Sequence, residues 1–204
     1  DFQDYFSIVP CVPFTLLAKI KGVPVACEGD IGGAISLLIA GAIAKKAPTL
    51  MDLAALDFEK NQMLLWHCGI GSVDLQPETG VSIIPHPMLD RKNPDRECMG
   101  LTYDYAFRET PVTILRYSNN KKIFAVEGKV YASRKGYTGT RGYITDFSSR
   151  SHEVSLEDIV ETIMSQGVEH HLIIVPGNIE EALHECAVIS GITWMDMETY
   201  SNGL

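Results

Sequence analysis

Apolar residues in the first third of the chain occur in short unbroken runs, with little alternation between apolar and polar positions. The runs at 22–28, 49–52 and 63–66 each predict a short buried strand, and residues 13–20 predict a short helix or turn. Residues 32–46 are rich in Ala, Leu and Ile around nearly the whole helical circumference, which predicts a helix buried on most sides. This order of strand, helix and strand is typical of an α/β sheet covered on both faces.

The pattern changes near residue 73. Residues 74–100 contain many prolines and glycines and predict a loop-rich connection. The apolar runs 113–117 and 122–131 flank turn residues and predict a hairpin, and 139–147 predicts a further strand. Several short strands joined by turns favour an antiparallel barrel.

The last fifty residues return to an α/β pattern. Ser155 and Asp158 form a capping-box sequence that predicts a helix to about residue 166. The run 171–175 predicts a buried strand, and 179–190 predicts a helix stopped by a glycine. The whole chain is therefore predicted to be α/β plus β.

Composition narrows the class of protein. The chain has 204 residues, 46% of them hydrophobic and 21% charged, which is typical of a folded globular protein. Its net charge of −9 argues against nucleic-acid binding, which needs basic patches. The most apolar helix candidate, 34–44, is too short to cross a bilayer. Five scattered cysteines without a CxxC pair indicate a reduced, intracellular protein, and we expect a cytoplasmic one.

Candidate chemistry lies at the ends of the predicted strands. Glu28 and Asp52 end two buried strands, and His170 precedes a third. Acidic and imidazole groups are costly in such places unless they are paired or bind something. Two carboxylates and one neutral imidazole suit a divalent cation such as Mn²⁺ or Mg²⁺, and the carboxylates can also move protons. Asp30 is more simply explained as the cap of the following helix.

The histidines are harder to assign from the pattern. His67 is as easily structural as functional, and Cys68 fits a small core residue. Because neighbouring residues of a strand point to opposite faces, His67 and Cys68 should not share a proton, and only one of His170 and His171 should face a site.

Five phrases of the chain, taken together, resemble the superfamily of L-fucose isomerase and L-arabinose isomerase. The resemblance runs from Cys11 to about Gly191, and it rests on the order and spacing of the phrases. They are Gly-Val-Pro-Val-Ala-Cys-Glu-Gly-Asp at 22–30, Pro-Thr-Leu-Met-Asp at 48–52, His-Cys-Gly at 67–69, Pro-Val-Thr-Ile-Leu-Arg at 111–116 and Gly-Val-Glu-His-His at 167–171.

The resemblance implies roles for individual residues. Glu28 and Asp52 would bind Mn²⁺ and serve as acid and base, and His170 would complete the metal site. His67 resembles a further histidine that arabinose isomerases use and fucose isomerases lack, so the subgroup stays open. His171 would then lie on the other face of its strand.

The resemblance also implies a fold and an activity. Residues 1–72 would end a three-layer α/β middle domain, and residues 73–204 would build an antiparallel Greek-key-type barrel with flanking helices. The protein would be a homo-oligomeric ketol isomerase that moves a proton between C1 and C2 of a sugar through an enediol. The superfamily's N-terminal domain is absent from this sequence, so we expect a fragment that isomerises sugars poorly by itself. The alternatives are a polyol-binding relative and a non-catalytic barrel module with a vestigial site.

Overall fold

The computed structural model describes residues 8–86, 99–118, 120–131 and 136–199. Within these ranges the chain forms four α-helices and eleven strands. The helices are α1 (Cys11–Lys21), α2 (Ile31–Ala44), α3 (Leu156–Gln166) and α4 (Glu180–Ser190). The strands are β1 (Ile8–Val9), β2 (Thr49–Asp57), β3 (Gln62–His67), β4 (Ser82–Pro85), β5 (Met99–Ala106), β6 (Pro111–Ser118), β7 (Lys122–Tyr131), β8 (Thr140–Ser149), β9 (His152–Glu153), β10 (His171–Pro176) and β11 (Thr193–Trp194).

The strands join one large mixed sheet. Its order is β1-β5-β8-β3-β2-β10-β6-β7-β11, with β4 on β5 and β9 on β8. Six of these strands pair in a cycle, because β7 also pairs with β8, and every pair in the cycle is antiparallel. The remaining strands extend the sheet from this cycle.

Two cores cover the two faces of the central strands. One contains alternate residues of the six strands, among them Met51, Ile174 and the fully buried Phe124. The other contains Leu50, Ile173 and residues of α2 and α4. Strand β10 is buried along its whole length, with Leu172 and Ile174 in the first core and Ile173 and Val175 in the second. Burial on both faces explains its unbroken apolar run.

Most predicted elements are present. The capping box of Ser155 and Asp158 opens α3, the hairpin of β6 and β7 forms, and α2 begins at the capping residue Asp30. In the part of the chain that the structure describes, no helix has both the length and the apolar character needed to cross a bilayer.

The prediction of a strand over residues 22–28 is wrong. Gly22 ends α1 in the left-handed conformation with φ 62°, and the following residues form an irregular connection. Pro24 provides no backbone N–H for a sheet, and Glu28 and Gly29 turn the chain with φ 59° and 69°. Apolar composition alone therefore could not distinguish this partly exposed connection from a strand.

The strands of the first third also do not form a separate sheet. β2 and β3 form an antiparallel hairpin, and β2 continues beyond its apolar start to Asp57. They pair with β10 and β8, so strands from both sides of residue 72 share one sheet. The predicted loop at 74–100 contains a 3₁₀ turn, Val73–Leu75, and strand β4; its residues 87–98 lie outside the described ranges.

Candidate metal and proton-transfer site

Asp52 and His171 are brought together by the register of two antiparallel strands. They are directly opposite each other in the pairing of β2 with β10. The backbone N–H of Leu53 donates to the carbonyl of His170 at 3.1 Å, which fixes the strand ends at this point. Side chains of directly opposed residues lie on the same face of a sheet, so the carboxylate and the imidazole become neighbours.

Glu28 approaches the same imidazole from the loop between α1 and α2. Its Oε2 lies 3.3 Å from Nε2 of His171, and Oδ1 of Asp52 lies 3.4 Å from the same nitrogen. His171 is 9% exposed, whereas Glu28 is 58% exposed. Nε2 is buried and has no hydrogen-bond partner among the described residues, because neither carboxylate has the required alignment. The two predicted acids therefore converge on one histidine nitrogen.

The other nitrogen of His171 is held by Asp30. Nδ1 lies 3.0 Å from Oδ2 of Asp30. Since an ionised carboxylate only accepts hydrogen bonds, Nδ1 carries a proton, and Nε2 is the nitrogen that lies beside Glu28 and Asp52. A carboxylate behind the imidazole is the arrangement that orients histidine ligands in metal sites.

Asp30 is itself fixed by a buried arginine. Nη1 and Nη2 of Arg116 donate to its two oxygens at 2.5 and 2.9 Å, and the N–H of Gly33 donates at 2.8 Å. The Arg116 side chain is 3% exposed. Although burial raises it, the hydrogen bonds from Arg116, Gly33 and His171 hold the pKa of Asp30 far below its usual value. Asp30 is therefore ionised at neutral pH.

Glu169 adds a second carboxylate to Arg116. Its Oε2 accepts from Nε of Arg116 at 3.3 Å and from the hydroxyl of Ser118 at 2.7 Å. Burial raises the pKa of Glu169, but the bond from Ser118 and the charge of Arg116 lower it by more. The guanidinium is thus held between two ionised acids.

His170 lies at the rim of the cluster. Its side chain is 73% exposed, its Nε2 is 3.7 Å from Oδ1 of Asp52, and its ring centroid is 4.2 Å from that of His171. The expectation that His171 points away from the site is wrong. Strand β10 begins at His171, so His170 precedes the strand and the alternation rule does not apply to the pair.

His67 lies beside Glu28 and is 1% exposed. One of its ring nitrogens, Sγ of Cys27 and a carboxylate oxygen of Glu28 all lie within 4.8 Å of one another. Its Nδ1 accepts from the N–H groups of Gly69 and Ile70 at 3.3 and 3.2 Å.

The expected separation of His67 from Cys68 is also wrong, since Sγ of Cys68 lies 3.7 Å from Nδ1. β3 ends at His67, so Cys68 belongs to the turn that follows.

The sequence pattern did not assign functional roles to Asp30, Arg116 and His171. A helix cap explains Asp30 without invoking its contact with His171. Arg116 did carry a signal, because it is a lone cation in an otherwise apolar strand, and such a charge needs a partner.

Comparison with known proteins gives curated relatives but no matching family model. The chain is 31% identical over 191 residues to the sulfoquinovose isomerase of Priestia aryabhattai, which covers 90% of this chain and 40% of that protein. It is 25% identical over 203 residues to the sulfoquinovose isomerase of Alkalicoccus urumqiensis, covering 97% of this chain and 42% of the relative. The enzyme of the same name from Clostridium sp. (strain MSTE9) is 23% identical over 190 residues. The chain spans about 40% of the length of these curated relatives and is similar to one region of sugar isomerases.

Proposed function

We propose that this chain carries the metal-binding and proton-transfer groups of an aldose–ketose isomerase, with sulfoquinovose as the first substrate to test. The convergence of Glu28 and Asp52 on Nε2 of His171 carries the proposal. Similarity to sulfoquinovose isomerases over 90% of the chain supports it and favours a sugar as the substrate.

The residues at the site fit a divalent cation. Nε2 of His171 is buried without a hydrogen-bond partner among the described residues, and one carboxylate oxygen each of Glu28 and Asp52 lies beside it. Oxygen and imidazole donors suit Mn²⁺ or Mg²⁺. Glu28, Asp52 and His171 would hold the ion. His170 is a further possible ligand, because its donor atom lies within 4.8 Å of those of Asp52 and His171.

A bound cation would supply Lewis-acid stabilisation for the oxygens of the sugar. The chain's own groups do the rest. One of the carboxylates of Glu28 and Asp52 takes the proton from C2 of the aldose and delivers it to C1, and the other moves the hydroxyl proton from O2 to O1 as the enediol forms and collapses. Glu28 is the more exposed of the two acids and is held on a turn, which suits a group that meets the substrate.

The resemblance to the L-fucose and L-arabinose isomerases adds two features to the proposal. The cycle of six strands would be the Greek-key-type barrel of that superfamily, and the protein would act as a homo-oligomer. Native mass measurement at several concentrations tests the second feature directly.

The decisive experiment measures Mn²⁺ binding and aldose–ketose conversion together. We expect the full-length protein to bind Mn²⁺ and to isomerise sulfoquinovose, and Glu28→Gln, Asp52→Asn and His171→Gln each to lower both properties in it. Asp57→Asn is the matched control, since Asp57 lies on the same strand as Asp52 but pairs with Lys60 outside the site. Metal binding without turnover on any sugar would favour a polyol-binding relative, and neither property would favour a non-catalytic module.

A further inference from the structure

His67 has one nitrogen whose function the proposed site does not explain. Its Nε2 is buried and has no hydrogen-bond partner among the described residues. A buried polar group left without a partner is destabilising. Such a group beside a site is satisfied when a ligand enters and meets it.

The protein backbone determines which proton the imidazole carries. The N–H groups of Gly69 and Ile70 both point at Nδ1, at 3.3 and 3.2 Å. Two donors require an acceptor, so Nδ1 presents its lone pair. In a neutral imidazole the proton is then on Nε2, which makes Nε2 a donor.

The charges around His67 only partly oppose a neutral ring. Burial lowers the pKa of His67, but its contact with Cys68 and the charges of Asp52 and Glu28 raise it by more. A protonated ring would place a proton on Nδ1, facing two N–H groups. The directional geometry of these two backbone donors decides for the neutral ring.

The grouping of Cys27, Glu28 and His67 suggests a cation site at first sight. A metal at Nε2 would force the proton onto Nδ1 and leave the N–H groups of Gly69 and Ile70 without an acceptor. A metal at Nδ1 would compete with the same two donors. Both modes of ligation lose hydrogen bonds that the turn after β3 makes.

We propose that His67 is a neutral Nε2–H donor to an oxygen of the bound substrate and does not ligate the metal. The inference rests on the proposed function, because it requires a sugar at Glu28. A ring nitrogen of His67 lies within 4.8 Å of a carboxylate oxygen of Glu28, so a substrate oxygen between them is within reach of both groups. The Nε2–H group would discriminate against sugars that lack this oxygen, because their binding leaves the Nε2–H group without a hydrogen-bond partner.

Two variants separate the two nitrogens. In His67→Asn the side-chain oxygen can still accept from Gly69 and Ile70, but no donor occupies the Nε2 position. In His67→Gln the longer side chain places an amide N–H near that position. We expect the Asn variant to keep its Mn²⁺ affinity within about 2-fold and to lose about 3- to 10-fold in kcat/KM, as for one neutral hydrogen bond. The Gln variant should recover much of this loss.

The tautomer is tested independently of activity. Long-range ¹H–¹⁵N correlation on protein with ¹⁵N-labelled histidine, without added metal, should show the proton of His67 on Nε2. A proton on Nδ1 overturns the inference. So does a loss of Mn²⁺ affinity of about 10-fold or more in the Asn variant, which would indicate a role in the ligand set.

Failure of the proposed function gives a different result. If the wild-type protein neither binds Mn²⁺ nor converts any sugar, the proposed function is wrong. The tautomer of His67 can still be measured on the same sample, because that measurement needs no metal. An unchanged kcat/KM in a well-folded Asn variant overturns only the substrate contact. Melting temperatures of both variants identify a loss that comes from unfolding.

Discussion

Replacing Asp30 by Asn tests the network behind the candidate site. Asn has the same shape as Asp and keeps an oxygen that accepts from the N–H of Gly33. It also caps helices well. It removes one negative charge from the pair with Arg116, whose side chain is 3% exposed. The change therefore isolates the electrostatic role of Asp30 from its role as a helix cap.

The expected loss of stability follows from the burial of the pair. Removing one partner of a buried ion pair costs about 3–5 kcal/mol. Asp30 is 13% exposed, and Glu169 still contacts Arg116 at 3.3 Å, so we expect a smaller loss of about 2–3 kcal/mol. For a chain of this length each kcal/mol lowers the melting temperature by about 2–4 °C, which gives a decrease of roughly 4–12 °C.

The stabilisation that Asp30 provides depends on pH with a definite sign. The pKa of Asp30 is far below its usual value in the folded protein, and that of an unfolded Asp is about 3.9. The stabilisation is therefore complete above about pH 5 and is lost as the pH falls through 3.9 toward the folded pKa. The difference between wild type and Asp30→Asn should shrink by about 1 kcal/mol between pH 5 and pH 3.

Denaturant unfolding followed by circular dichroism at several pH values measures both effects. Asp57→Asn is the control, because Asp57 pairs with Lys60 at the surface and its loss should have no measurable effect at pH 7. A loss below about 0.5 kcal/mol in Asp30→Asn, or a difference that stays constant down to pH 3, would show that the Asp30–Arg116 pair does not have the assigned role.

Three further predictions concern the site and the core. His171→Ala should weaken Mn²⁺ binding by at least about 10-fold in a metal titration, and the exposed His170→Ala by much less; the reverse order would assign the metal to His170. Gly33→Ala should destabilise the protein and lower Mn²⁺ affinity, because its Cβ would lie 2.6 Å from Oδ2 of Asp30; an unchanged melting temperature and affinity would contradict this. Phe124→Ala should cost about 3–5 kcal/mol in chemical denaturation, since Phe124 is fully buried in the larger core, and a loss below about 1 kcal/mol would contradict that position.

The sequence predicts well those elements whose signals are local. The caps at Asp30 and Ser155 and the hairpin of β6 and β7 were identified because each depends on neighbouring residues. The run at 22–28 was misassigned because its apolar residues lie in an irregular connection, which composition alone does not distinguish from a strand. The antiparallel pairing of β2 with β10 depends on residues more than a hundred positions apart, which no local pattern contains.

The residues of the candidate site likewise divide into those with a local sequence signal and those brought together only by the fold. Glu28 and Asp52 were found because isolated acids follow apolar runs, and the structure brings both to His171. The relation of His170 to His171 was misjudged by one residue, because the alternation rule depends on where the strand begins. The contact between Asp30 and His171 joins residues 141 positions apart and could be recognised only in three dimensions.

The charges of the cluster divide into two parts with different physical tasks. Asp30 and Glu169 face the single guanidinium of Arg116, and their network fixes the orientation of His171. Glu28 and Asp52 have no arginine or lysine ion pair among the described residues, and both carboxylates face Nε2 of His171. A divalent cation would neutralise these two charges, and a monovalent side chain in the same place would not. Arg116 would thus support a bound cation without entering the site, because it keeps Asp30 ionised and so keeps it an acceptor for the proton on Nδ1 of His171.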